Sequence, residues 1–145
     1  MKLLDTSIAI DHLRGHRPAT TLLEGLVAAG EHVVASELTR FALLARARPD
    51  EDADLEIFFS VVEWVPVTEE VTRRAGEYAR TYRHSHTGIG VVDYLLAATV
   101  SALGADLLTT NVRYYPMFDG LRPPYSRHHL RLGDWATGSR SLPGS

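Results

Sequence analysis

The stretch KLLDTSIAI, residues 2 to 10, decides the fold that we predict for this chain. Its first three residues form a short apolar run typical of a strand. The residues after Asp5 have the pattern of a helix, for which the hydroxyls of Thr6 and Ser7 are candidate N-caps. Asp5 therefore stands at the carboxyl end of a predicted strand, where ligands bind in open α/β sheets and where a carboxylate suits a divalent cation. The alternative is that Asp5 only caps the helix.

Strand patterns and helix patterns alternate along the rest of the chain. This alternation predicts an α/β fold, a single domain whose parallel sheet of about four to five strands carries helices on both faces. Thr39 is the predicted N-cap of the helix over 36–48. We place the domain at residues 1–125 and expect the tail, 126–145, to be partly disordered or added during cloning. The further predicted strands are 31–35, 61–67 and 105–109; the further predicted helices are 19–29, 36–48, one opened by Pro49 and its acidic run, 68–83 and 89–103.

The composition limits the classes of function. The chain has 145 residues, 45% hydrophobic and 23% charged, which is ordinary for a globular protein. It contains no cysteine, which excludes disulfides and thiolate chemistry. Because the net charge is −3, nucleic-acid binding would need a local basic patch or metal ions. We see no signal peptide and no membrane-spanning run, so we expect a cytoplasmic protein without a membrane partner.

Two further polar residues occupy positions like that of Asp5. Asp93 lies in the apolar segment GIGVVDYLLAAT, residues 88–99, where a lone charge is costly unless it is paired or bound to a metal. Asn111 follows the last predicted strand, and its amide could orient a metal-bound water. Taken singly, Asp93 could serve the helix dipole and Asn111 could be a turn residue. Together with Asp5 they favour one site, whose oxygen ligands suit a divalent cation.

Three motifs, LLDTS, GIGVVDYLLAAT and LLTTNVRYYP, make the chain resemble the PIN-domain toxins of the VapC type, from Met1 to about Phe118. The resemblance implies a ribonuclease that depends on Mg²⁺, with Mn²⁺ as a substitute, and that cleaves RNA of the tRNA or rRNA class. It also implies a cognate antitoxin and a homodimer. In this family's pattern, Asp5, Asp93 and Asn111 match metal-site positions, and we expect Thr6 and Thr109 to support them with hydroxyls.

One acid of the family pattern is missing. The family has Ser-x-x-Thr-x-x-Glu-Leu after the second strand, whereas this chain has Ala42 where the Glu is expected, in a segment that otherwise matches at Ser36, Thr39 and Leu43. Either an active enzyme has been disarmed by engineering, or the family has diverged here and Glu37 is a possible substitute. We therefore expect the chain as given to be inactive or weakened. The alternatives are a non-catalytic module that binds RNA or an antitoxin, and a phosphatase-like hydrolase.

The sequence also offers candidate contacts for partners. Each arginine below could contact single-stranded or structured RNA, although each could equally be a solvated helix position. Four apolar residues could line a groove for an antitoxin helix, unless they belong to the core. The arginines are Arg40, Arg46, Arg48, Arg80, Arg83 and Arg113; the apolar residues are Leu22, Leu26, Phe41 and Leu44.

Overall fold

A computed structural model describes residues 1–126 of the chain. These residues form four strands, six α-helices and two short 3₁₀ turns. The tail for which we predicted partial disorder lies outside the described residues from residue 127 onward. None of these helices is long and apolar enough to span a membrane. In chain order the elements are β1 (Lys2–Leu4), α1 (Thr6–Leu13), α2 (Arg17–Ala28), β2 (Val33–Ser36), α3 (Glu37–Arg46), a 3₁₀ turn (Pro49–Glu51), α4 (Asp52–Val61), β3 (Glu63–Val65), α5 (Glu69–Tyr82), α6 (Val91–Leu103), β4 (Asp106–Leu108) and a 3₁₀ turn (Val112–Tyr114).

The strands form one parallel sheet in the order β3-β2-β1-β4. Leu3 of β1 is in register with Val34 of β2 on one side and with Leu107 of β4 on the other. The predicted α/β fold, with a parallel sheet of four to five strands, is therefore confirmed with four. Because all strands run the same way, their carboxyl ends meet at one edge of the sheet.

Both faces of the sheet are covered, as parallel sheets require. Consecutive strand residues point to opposite faces, so Leu4 packs with Ile8 of α1 and Phe58 of α4, whereas Leu3 packs with Leu96 of α6 and with Tyr115. All six side chains are almost completely buried. A smaller cluster joins α5 to α6. β1 thus lies at the centre of the molecule, and Asp5 follows its last residue.

Two predicted helix caps were wrong. The side chain of Asp5 itself caps α1, since it accepts a hydrogen bond of 2.8 Å from the Thr6 amide. Likewise α3 is capped by Ser36, whose hydroxyl accepts a hydrogen bond of 3.0 Å from the Leu38 amide. Thr39 instead lies fully buried inside α3. A capping box from Thr39 to position 42 is therefore excluded, because Ala42 is the sixth residue of α3.

The third strand is shorter than predicted. Val61 is the last residue of α4 and is exposed, so the apolar pattern from 61 belongs to two different elements. The strand ends at Val65, directly before Pro66, which has no amide hydrogen for the ladder. The remaining elements differ from prediction by only a few residues at their ends, where hydrophobic periodicity carries little information.

Candidate active site

The candidate site lies where β1 and β4 end side by side. The amide of Asp5 donates a hydrogen bond of 2.9 Å to the carbonyl of Leu108, the last residue of β4. This bond continues the parallel pairing one step beyond the strands. It brings Asp5 next to Thr109, although the two residues are 104 positions apart.

Asp5 is buried, with 5% of its surface exposed, and its carboxylate is surrounded by donors. Oδ1 accepts the Thr6 amide, at the positive end of α1. Oδ2 accepts hydrogen bonds from the hydroxyls of Ser7, at 3.1 Å, and Thr109, at 2.5 Å. Burial raises the pKa of Asp5 above its ordinary value, and these hydrogen bonds oppose that rise because they favour the charged form.

Asp93 reaches the same site from the first turn of α6. Its Oδ2 accepts a hydrogen bond of 2.8 Å from the amide of Gly90, which precedes the helix. Burial raises the pKa of Asp93, and the negative charge of Asp5 raises it further. Asp93 is therefore within electrostatic reach of Asp5, and the shared site of the two acids stays a prediction. Asp93 also sits where a negative charge suits the helix dipole, so both interpretations of this residue hold.

Tyr115 is a member of the site that we did not predict. It follows the 3₁₀ turn after β4, is 1% exposed, and its hydroxyl lies 3.4 Å from Asp5 Oδ1. The same hydroxyl also faces Asp93, and burial together with the two carboxylates strongly raises the pKa of the phenol. Its place in the motif LLTTNVRYYP, beside a candidate site residue, was the available signal. Nothing in that pattern distinguishes Tyr115 from the adjacent Tyr114.

The other predicted residues lie around these acids. The Thr109 hydroxyl accepts a hydrogen bond of 2.9 Å from the Asn111 amide, which places Asn111 beside the site, half-buried. The Thr6 hydroxyl lies 3.1 Å from that of Thr39 and so joins α1 to α3. Ala42 lies about one helical turn beyond Thr39 and is partly buried, so the two residues share a face of α3.

Glu37 is engaged elsewhere. Both of its carboxylate oxygens accept hydrogen bonds from Arg40, at 2.6 and 3.1 Å, and this guanidinium lowers the pKa of Glu37. Arg40 also stacks on Trp64, with its guanidinium carbon 4.3 Å from the ring centroid. Glu37 would therefore have to leave this ion pair to serve as the missing acid. The other candidate RNA contacts are all exposed; they are Arg46, Arg48, Arg80, Arg83 and Arg113.

The residues present fit a divalent cation in kind, since carboxylate, amide and hydroxyl oxygens are its usual ligands. They are few, however. Within residues 1–126, no group of three or more His, Cys, Asp or Glu side chains is placed to hold a metal ion. Among residues 1–126, Asp5 and Asp93 are thus a pair of acids without a third.

Comparison with known proteins places this geometry in a family. The family model of the PIN domain matches residues 2–117. The chain belongs to the PIN-domain family. Over 125 residues this PIN domain is 58% identical to ribonuclease VapC19 of Mycobacterium tuberculosis, an alignment that covers 86% of this chain and all of the relative. It is 36% identical over 126 residues to ribonuclease VapC10 of the same organism, covering 87% of this chain and 94% of the relative.

Solved structures share the fold of this PIN domain. A toxin–antitoxin complex from Klebsiella pneumoniae matches with a TM-score of 0.73 and 21% identity, over 87% of this chain and 99% of that one. VapBC2 from Rickettsia felis, bound to a DNA fragment from its promoter, matches with a TM-score of 0.71 and 23% identity, over 84% of this chain and 96% of that one. At these identities the similarity extends to the fold alone.

Proposed function

We propose that this PIN domain is a divalent-metal-dependent endoribonuclease and the toxin of a toxin–antitoxin pair, with tRNA or rRNA as the class of substrate. The observation that carries the proposal is the position of Asp5 at the carboxyl edge of the sheet, within electrostatic reach of Asp93. Relatives of 58% and 36% identity that are named ribonucleases support it.

We assign the following roles to residues of the chain. Asp5 and Asp93 would hold Mg²⁺, or Mn²⁺ in its place, and Asn111 would orient a water at the same point. The bound ion supplies Lewis acidity, which lowers the pKa of a coordinated water and neutralises charge on the phosphate. Thr109 and Ser7 would favour the ionised form of the Asp5 carboxylate and fix its orientation by donating to it. Single-stranded or looped RNA is the substrate that we favour because its bases are accessible.

Ala42 makes the chain as given a weak enzyme. Two carboxylates only balance the charge of a divalent ion and leave most of its ligand positions to water. A third carboxylate at about 4 Å would add an attraction on the order of a few kcal/mol at an effective dielectric constant near 20. It would also accept a proton from the attacking water, a role worth about a hundredfold or more in rate.

The test is cleavage of total RNA by the parent chain and by the Ala42→Glu and Ala42→Gln variants, in Mg²⁺ with and without EDTA. The glutamine variant is the matched control, since it has the size of glutamate without its charge. We expect the Ala42→Glu variant to cleave at least about a hundredfold faster than the other two and to be silenced by EDTA. Equal cleavage by the parent would show that position 42 does not mark a missing acid, and Glu37 would be mutated next.

The antitoxin partner is proposed to contact α3. Phe41 and Leu44 are 70% and 52% exposed, one turn apart, and they offer an apolar stripe of the kind that a partner helix covers. The other two residues of the predicted groove, Leu22 and Leu26, are partly buried against the core that Leu4 and Phe58 share. Phe41→Ser combined with Leu44→Ser should abolish co-purification with a co-expressed antitoxin while leaving the fold intact. Unchanged co-purification would move the partner surface away from α3.

The non-catalytic alternative remains a distinct outcome of these experiments. An Ala42→Glu variant that binds RNA and antitoxin but cleaves nothing would establish a binding module instead of an enzyme. Cleavage of small phosphoesters but not of RNA would indicate the phosphatase-like class. The family resemblance also implies a homodimer, which light scattering on the purified chain tests.

A further inference from the structure

The Tyr115 side chain spans from the core to the candidate site. Its ring lies in the cluster that includes Leu3 and Leu96, and it stacks on Phe118 with 6.4 Å between centroids. Its hydroxyl points at the two acids. A ring so enclosed has little freedom to move, so the position of the hydroxyl is determined by packing in the core.

The hydroxyl of Tyr115 is the donor that faces both Asp5 and Asp93. Within residues 1–126, each of the other hydrogen bonds donated to these acids reaches only one of the two. Thr6, Ser7 and Thr109 donate to Asp5, whereas the Gly90 amide donates to Asp93. A phenol carries one proton, which it can donate to either carboxylate from a single point between them.

The charges of the two acids make this shared donor important. Within residues 1–126, neither Asp5 nor Asp93 forms an ion pair; the six ion pairs found there all involve other residues. Two nearby carboxylates repel each other, and only neutral donors oppose that repulsion here. Of those donors, only the Tyr115 hydroxyl draws both carboxylates toward one point.

We propose that Tyr115 is a positioning residue that holds the Asp5 and Asp93 carboxylates converged, so that a divalent cation meets a preorganised pair. This inference rests on the proposed function, because it assumes that the pair is a metal site. Residues that hydrogen bond to metal ligands fix the orientation of those ligands, and their loss typically weakens metal binding by about 10- to 100-fold. The effect should be large here because few fixed ligands are present.

The test is Mn²⁺ binding by calorimetry to the Ala42→Glu variant with and without Tyr115→Phe. Phenylalanine keeps the ring and its packing and removes only the hydroxyl. We expect the dissociation constant to rise about 10- to 100-fold. The matched control is Tyr114→Phe, which removes a hydroxyl that contacts the exposed Arg113 instead of the acids. That change should leave Mn²⁺ affinity unaltered.

A second variant separates positioning from folding. Incorporation of p-aminophenylalanine at position 115 of the Ala42→Glu variant retains the ring and restores a donor at the same place. The dissociation constant for Mn²⁺ should therefore return toward that of the Ala42→Glu variant with Tyr115 intact, even if Tyr115→Phe is poorly folded. Equal or tighter binding by a folded Tyr115→Phe variant overturns the inference, and tighter binding would show that the phenol competes with the cation. Failure of the p-aminophenylalanine variant to recover affinity also overturns it.

The same measurements distinguish this inference from the proposed function. If Mn²⁺ binding depends on Tyr115 but no variant cleaves RNA, the positioning role stands and the ribonuclease assignment fails. If the Ala42→Glu variant cleaves RNA with or without the Tyr115 hydroxyl, and loss of that hydroxyl leaves its Mn²⁺ affinity unchanged, the ribonuclease assignment stands and the positioning role fails. If the Ala42→Glu variant binds no Mn²⁺, both fail.

Discussion

The hydroxyl of Thr109 donates a hydrogen bond of 2.5 Å to Asp5 Oδ2, linking the ends of two neighbouring strands. Both residues are buried, so the bond is shielded from water. The Thr109 oxygen also accepts a hydrogen bond from the amide of Asn111. One hydroxyl therefore fixes the position of the central acid and the course of the chain that carries Asn111.

Replacing Thr109 by valine should destabilise the protein by about 1.5–3 kcal/mol, the usual value for a hydrogen bond to a charged group. Valine has nearly the same shape, so the loss reports the hydroxyl and not the packing. Urea unfolding measures it, and Thr109→Ser, which keeps the hydroxyl, is the control. A valine variant as stable as the serine variant would mean that this bond contributes nothing to folding.

Asp5→Asn should greatly reduce Mn²⁺ affinity while leaving the fold nearly intact. The amide oxygen can still accept from Thr6, and the hydroxyls of Ser7 and Thr109 can rotate to accept from the amide nitrogen. Calorimetry measures the affinity, and circular dichroism checks the fold. Asp106→Asn is the matched control, because this exposed aspartate pairs with Lys2 at the opposite end of the sheet. Equal Mn²⁺ affinity in the two variants would rule out Asp5 as a ligand.

The difference in stability between the parent protein and Asp5→Asn should depend on pH. A carboxyl whose pKa is raised on folding binds its proton more tightly in the folded state, so its contribution to stability is lost as pH rises from the unfolded pKa through the folded one. Burial raises the pKa of both Asp5 and Asp93 above the ordinary 3.8. From about pH 4 upward, metal-free parent protein should therefore lose stability relative to Asp5→Asn. The difference in free energy of unfolding between the two proteins, measured in urea across this range, would stay constant if the pKa of Asp5 were unshifted.

Arg40 should matter for stability, whatever its part in RNA binding. Its guanidinium lies between Glu37 and the rings of Phe59 and Trp64, and so joins α3 to α4 and β3. Arg40→Ala should lower the melting temperature by a few degrees, and Arg40→Lys should recover only part of the loss because lysine lacks the planar group. Arg73→Ala is the control, since within residues 1–126 the exposed Arg73 of α5 pairs only with Glu69. Equal melting temperatures for the two alanine variants would contradict the stacking role.

Much of the fold could be predicted from local pattern. The alternation of strands and helices depends on short-range periodicity, and the places of Asp5 and Asp93 at the starts of α1 and α6 follow from it. Where one apolar run belongs to two elements, as at Val61, periodicity alone did not locate the boundary between helix and strand. The caps of α1 and α3 were misplaced because several neighbouring polar side chains compete for the same amides, and only the backbone geometry decides between them.

The sequence by itself determined that an acid and an amide follow strand ends, that a second acid lies in the first turn of a helix, and that position 42 carries no carboxylate. Tertiary structure alone decided which groups surround the acids. The donation from Thr109 to Asp5 requires β4 to lie beside β1, and the shared hydroxyl of Tyr115 requires its ring to be held in the core beneath α6. Tyr114 and Tyr115 are alike in sequence, yet one reaches the surface and the other the acids. That difference arises from long-range packing, which no local pattern encodes.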